Sequence, residues 1–254
     1  MNELQEFYLE RKNRVKDLKV DDNFQDLSHR WRSDAMSKKF VYNFDWLGRP
    51  IIQFPNDIMA YQQLFWDVQP DLIIETGIAH GGSLILSASL LALLDLQDKK
   101  LGRKEVRRKV VGIDIDIRDH NRALIEQHFL SDYIHMIQGS SVDATVVTEV
   151  QKIAAGFEKV IVCLDSMHTH EHVLSELHAY AQLVSVDSYC IVYDTFVEDL
   201  DKGFFNNRPW DVGNNPKTAV TDFLKNNKEF ITDKDIEAKT MITVAPDGFL
   251  KRVK

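Results

Sequence analysis

The chain has 254 residues, 44% of them hydrophobic, enough to bury a full core in one α/β domain of ordinary size. A formal net charge of −8 argues against a general nucleic-acid binder, which would present a basic face. No apolar run approaches the ~20 residues of a membrane span.

The opening Met1–Arg14 alternates acidic and basic residues without an apolar h-region, so it does not read as a signal peptide. Residues 1–40, rich in Glu, Lys, Arg and Leu, predict helix. Residues 41–56 hold Trp46, Gly48, Pro50 and Pro55 and predict an irregular lead-in. Residues 1–56 thus form an N-terminal helical extension, with a surface for a homo-oligomer, ahead of a single domain at 57–254. Asn56 is placed to cap a helix from about Asp57 to Val68, and Pro70 ends it.

The pattern then alternates. Asp71–Glu75 predicts a buried strand, followed by a Gly-rich turn and a long apolar helix, Ser83–Leu96. Strands follow at Lys109–Asp114, Ile134–Gln138, Lys159–Asp165 and Tyr189–Asp194, with helices between them at Asn121–Phe129, Ser141–Ala154 and Glu171–Leu183. An irregular Thr195–Asn215 precedes a helix at Lys217–Asn226. Phe230–Ile231 and Thr240–Val244 predict further strands, the latter paired with Gly248–Val253 through Pro246-Asp247-Gly248. Continuous apolar strands alternating with helices mean a mostly parallel sheet covered on both faces, with one antiparallel strand near an edge. Cys163 and Cys190 fall inside the apolar runs and read as buried thiols of a reducing, cytoplasmic setting.

Ligands of such sheets bind at the carboxyl ends of the strands. Those ends carry Glu75, Asp114, Gly139-Ser140, Asp165 and Asp194. The first runs into Glu75-Thr76-Gly77-Ile78-Ala79-His80-Gly81-Gly82-Ser83, where glycines admit close backbone approach and the helix start offers free N–H groups. The loop lacks G-x-G-x-x-G; an acidic residue, then Gly, then Gly-Gly resembles S-adenosyl-L-methionine (SAM)-binding methyltransferases. Asp114, with Asp116 second, is suited to the ribose hydroxyls of an adenosine group. Ser140 and Ser141 either meet the adenine edge or, for Ser141, cap the next helix. Asp165 and Asp194, on strands about 4.8 Å apart, can share one Mg2+, and His168 can act as general base. His170 and His172 complete a cluster without the spacing of a zinc helix.

These segments together resemble the cephalosporin hydroxylase-type family, whose fold is that of a SAM-dependent O-methyltransferase, and more distantly the macrolide-sugar O-methyltransferases. The matching segments are Glu75–Ser83, Gly112–Asp116, Leu164–His168, Val192–Thr195, Arg208-Pro209-Trp210, Gly213–Val220 and Ile242–Arg252. The resemblance implies a Rossmann-like seven-stranded sheet and a cofactor site of Glu75, Gly77, Ala79, Gly81, Ser83, Asp114, Asp116, Ser140, Ser141 and Asp165. It also implies Mg2+ on Asp165 and Asp194, with His168 and Asp165 at the reaction. Tyr193 stands where the family has a Glu, which removes one expected ligand. The acceptor implied is a small molecule, a sugar or nucleotide-linked glycan precursor, under a lid at Asn206–Asn215 with Trp210 against the sugar ring and Arg208 for phosphate. Two rival readings are a metal-dependent hydrolase or oxygenase using the His168–His172 cluster, and a non-catalytic SAM-binding protein.

Overall fold

The computed structural model describes residues 2–254. The helix expected over 1–40 divides into α1 (Glu3–Leu18) and α2 (Asp22–Ser37). The break has a local cause: the Asp21 side chain accepts from the Phe24 N–H and caps α2. The lead-in at 41–56 is more regular than expected. It forms a hairpin of β1 (Phe44–Trp46) and β2 (Arg49–Ile51), turned by Leu47 and Gly48, both at positive φ. Helix α3 (Pro55–Val68) starts two residues earlier than predicted. Pro55 supplies the preset φ of a first helical position, while Asn56 donates its side-chain amide to the Thr240 carbonyl at 2.9 Å instead of capping.

The alternating segment then follows in order: β3 (Leu72–Thr76), α4 (Gly82–Lys100), β4 (Lys109–Asp114), α5 (Asp119–Glu126), β5 (Ile134–Gln138), α6 (Ala144–Ala154), β6 (Val160–Leu164), α7 (His170–Tyr180) and β7 (Tyr189–Val192). After it come α8 (Pro216–Asn226), β8 (Phe230–Thr232), α9 (Lys234–Thr240) and β9 (Phe249–Arg252). Helix α6 is capped by Asp143, which accepts from Thr145 N–H at 2.8 Å, and not by Ser141.

The seven-stranded sheet has the order β5-β4-β3-β6-β7-β9-β8, parallel except for β9, which runs against both β7 and β8. The predicted strand at Thr240–Val244 is absent. Its first residue ends α9, and its backbone bonds elsewhere: Val244 N–H donates to the buried Asp57 carboxylate at 3.0 Å. The partner of β9 is β8, not that segment.

Strand residues alternate between two cores. Ile73, Val110, Ile161 and Ile191 pack with α3, α4 and the hairpin, including Ile51 and Phe54. Leu72, Ile74, Val111 and Val162 pack with α6, α7 and α8. Cys163 and Cys190 are buried free thiols, as expected. Among the described residues no helix is long and apolar enough to cross a membrane.

Candidate active site

Chain order reverses direction across the sheet between β3 and β6, the point at whose strand ends sheets of this kind bind ligands. The two ends are locked together. Asp165 N–H donates to the Thr76 carbonyl at 2.9 Å, and Gly77 N–H donates to Ile113 at 2.8 Å on the other side. Gly77 sits at φ +88°, and a Cβ there would lie 2.1 Å from the Asp165 carbonyl oxygen. Only glycine fits both the backbone angle and the space.

The loop from Gly77 to Gly81 is braced from two sides. Asp114 Oδ2 accepts from the backbone N–H of Ile78 (2.8 Å) and Ala79 (3.3 Å). Arg49 of β2 donates through Nε to the His80 carbonyl at 2.9 Å, and through Nη2 to the same oxygen at 2.6 Å. Asp114 thus reaches the loop, whereas Asp116 points to solvent with 73% of its side chain exposed. Glu75 is buried and accepts a hydrogen bond from the Ser83 hydroxyl at the start of α4. Burial raises its pKa to about 7, a rise that the Ser83 bond opposes. Ser140 is half-buried at the end of β5. Ser141 is buried; its hydroxyl bonds His172 Nε2 at 3.1 Å, and its carbonyl accepts from the Tyr180 hydroxyl.

Asp165, His168 and Asp194 converge. One candidate ligand atom from each lies within 4.8 Å of the others, and His168 Nε2 is 3.0 Å from Asp194 Oδ2. Desolvation pushes the Asp165 carboxyl well above the usual carboxylate range, and the neighbouring charges of Asp194 and Glu75 push it further. The Trp210 ring meets the His168 ring edge-on, centroids 4.7 Å apart, and the Arg208 guanidinium lies 5.3 Å above Trp210. The loop carrying them is tied down: Asp211 accepts from Gly203 N–H at 2.9 and 3.0 Å, and Glu198 from Gly213 N–H at 2.7 Å.

The other two histidines are not brought to this site. His170 bonds the Thr218 hydroxyl at 2.9 Å and joins α7 to α8. His172 bonds Ser166 at 3.0 Å as well as Ser141, beside the fully buried Glu176. The cluster is therefore divided by the helical turn that carries it, which removes the geometric basis for a three-histidine centre.

Three residues near the site carried no sequence signal. Gln53 and Tyr61 line a small cavity together with Glu75, Asp165 and Tyr193, and Asp57 is buried under the Thr243–Val244 turn. Gln53 lay in a stretch read as irregular, and an Asp in the first turn of a helix is ordinary capping chemistry. Tyr193 is buried, and burial raises its pKa well above the usual phenol value, so it stands as a neutral phenol where the family resemblance expects a carboxylate.

The chain is 27% identical over 201 residues to a rhamnosyl O-methyltransferase of Mycobacterium tuberculosis, covering 78% of this chain and 73% of that one. A rhamnosyl O-methyltransferase of Mycobacterium leprae is 24% identical over 176 residues, 68% of this chain and 69% of that one. Among solved structures, CmcI with Mg and SAM superposes with a TM-score of 0.55 at 20% identity, over 84% of this chain and 78% of that chain. MycE, a methyltransferase of the mycinamycin pathway solved with Mg, SAH and mycinamycin VI, gives 0.51 at 17% identity, over 88% of this chain and 54% of that chain. The fold is thus that of SAM-dependent methyltransferases. The model of the rhamnosyl O-methyltransferase/CmcI family matches residues 38–253, and the chain belongs to that family.

Proposed function

We propose that this chain, a SAM-dependent O-methyltransferase, methylates a hydroxyl of a sugar or nucleotide-linked glycan precursor, with His168 as base beside Mg2+ held by Asp165 and Asp194. The observation that carries this reading is the convergence of those three side chains at the strand ends next to the Gly77 loop.

The donor set fits Mg2+, which takes one or two carboxylates and fills its remaining positions with water or substrate oxygens. Asp165 also lies among other carboxyl groups, Asp194, Glu75, Glu176 and Asp57, whose repulsion when ionised a divalent cation would offset. When bound, Mg2+ supplies positive charge that eases ionisation of a nearby hydroxyl. The remaining work falls to the chain. With Nε2 of His168 directed at Asp194, Nδ1 is the nitrogen left to take the hydroxyl proton, and Asp194 both orients the ring and stabilises the imidazolium. Methyl transfer from a sulfonium then needs the oxygen in line with the methyl group, which is a matter of positioning. The braced Gly77–Gly81 loop, Ser83 and Asp114 hold the cofactor; Trp210 offers its face to the sugar ring. That the curated relatives are rhamnosyl O-methyltransferases, and that MycE was solved with a macrolide, supports a sugar acceptor.

The test is methyl transfer from labelled SAM to a rhamnoside and to a nucleotide sugar, with and without Mg2+, alongside thermal shift with S-adenosylhomocysteine (SAH). Saturation at a hundred times the dissociation constant adds about 2.7 kcal/mol of stability. No shift at saturating SAH would overturn the cofactor assignment; a shift without transfer to either acceptor would overturn the choice of acceptor.

A further inference from the structure

Gln53 follows β2 and precedes α3, and it is 4% exposed. Its Oε1 is buried without a hydrogen-bond partner. A buried acceptor with no donor is unfavourable in itself, and folded chains keep few of them. The side chain lines a small, partly open cavity of about 10 Å³, room for one water-sized group, between Glu75, Ser83, Asp165 and Tyr193. Gln53 Oε1 and, when ionised, the carboxyls of Glu75 and Asp165 give this cavity three acceptor groups, beside the hydroxyls of Ser83, Ser87, Tyr61 and Tyr193. A compact cationic donor with several N–H bonds suits it, and an ammonium group has that chemistry. The same carboxamide carries two N–H bonds that suit a neighbouring carboxylate.

We infer that Gln53 binds the amino-acid end of the cofactor, its carboxamide oxygen accepting from the α-ammonium beside Glu75. The inference rests on the cofactor reading above and adds a residue that none of the sequence motifs contains. Adenosine is held at the far side of the loop by Asp114 and its neighbours, so the two ends of the ligand are separable by chemistry. SAH has both ends; 5′-methylthioadenosine has the adenosine and thioether and lacks the amino acid.

The experiment compares the dissociation constants of SAH and 5′-methylthioadenosine for wild type, Gln53→Leu and Gln53→Met, by calorimetry in the presence of EDTA, with the melting temperature of each unliganded protein. Both substitutions remove an unpaired polar group from the interior, so the unliganded proteins are expected to melt at or above the wild-type temperature. A hydrogen bond to a charged group corresponds to roughly a 10- to 100-fold change in affinity. SAH is therefore expected to weaken by about that factor, while 5′-methylthioadenosine stays within a factor of about two. Unchanged SAH affinity in two folded variants would overturn the assignment, as would equal weakening of both ligands. If wild type bound neither ligand, the cofactor reading itself would fail, and the Gln53 assignment with it.

Discussion

Replacing Asp57 by Asn gives the sharpest test of the electrostatics around the site. Asp57 is 1% exposed, and its carboxylate accepts from the Thr243 hydroxyl and from Val244 N–H. Burial raises its pKa from 3.8 to about 7; the two hydrogen bonds and Arg32 oppose the rise, and Asp194 adds to it. A group whose proton is held more tightly in the fold than in the unfolded chain stabilises the fold fully below the unfolded pKa, and that contribution is lost as pH rises through the folded value. The span from 3.8 to about 7 corresponds to about 4 kcal/mol in all, of which on the order of 3 kcal/mol is lost between pH 5 and pH 8. Asn cannot ionise, and its single carbonyl still serves one of the two donors. Urea unfolding of wild type and Asp57→Asn at pH 5 and pH 8 measures the difference directly. The stability drop between the two pH values should be smaller in the variant by on the order of 3 kcal/mol. Equal drops would mean that Asp57 is already ionised in the fold at pH 5, and the assignment of burial as the dominant influence would be wrong.

Three further outcomes follow from the geometry. His168→Gln should lower kcat by about 10²- to 10⁴-fold and leave SAH affinity unchanged; a loss smaller than tenfold in steady-state transfer assays would remove His168 as the base. Chelation should suppress methyl transfer by wild type, and added Mg2+ should restore it but not in Asp165→Asn; a rate indifferent to EDTA would remove the metal from the scheme. Gly77→Ala introduces a Cβ at φ +88° against the Asp165 carbonyl, so it should lower the melting temperature and abolish SAH binding; an unchanged melt with normal binding would show that the loop yields without cost.

Much of the sheet was legible because its strands are buried on both faces, so runs such as Leu72–Ile74 and Val160–Leu164 are continuously apolar and end abruptly at polar residues. The same abrupt ends exposed Asp114, Asp165 and Asp194 as candidates. The hairpin was hidden because each of its strands has three residues and one of them contains Pro50. Thr240–Val244 looked like a strand because it is apolar and β-branched, yet its backbone is satisfied by a carboxylate nearly two hundred positions away in the chain. No local pattern encodes that contact. Sequence could not say which of His168, His170 and His172 share a site, because closeness in the chain carries no direction, and the start of α7 turns the rings to three different neighbourhoods. Gln53 was invisible because an unpaired buried amide is a property of packing alone.

The loop bearing Trp210 is hydrogen-bonded to itself and to Glu198, and its indole already rests on His168. A wall ordered before the acceptor arrives leaves little conformational entropy to be lost on binding. For the sugar acceptor proposed above, it would also fix one plane against which the ring lies. The hydroxyls of a sugar differ little in acidity, so with His168 as the proposed base the one methylated would be selected by how the ring is turned relative to it. On the proposed reading, regioselectivity would be a property of the indole wall, and exchanging its shape is expected to redirect the methyl group to another carbon of the same sugar without any change in the groups proposed to perform the transfer.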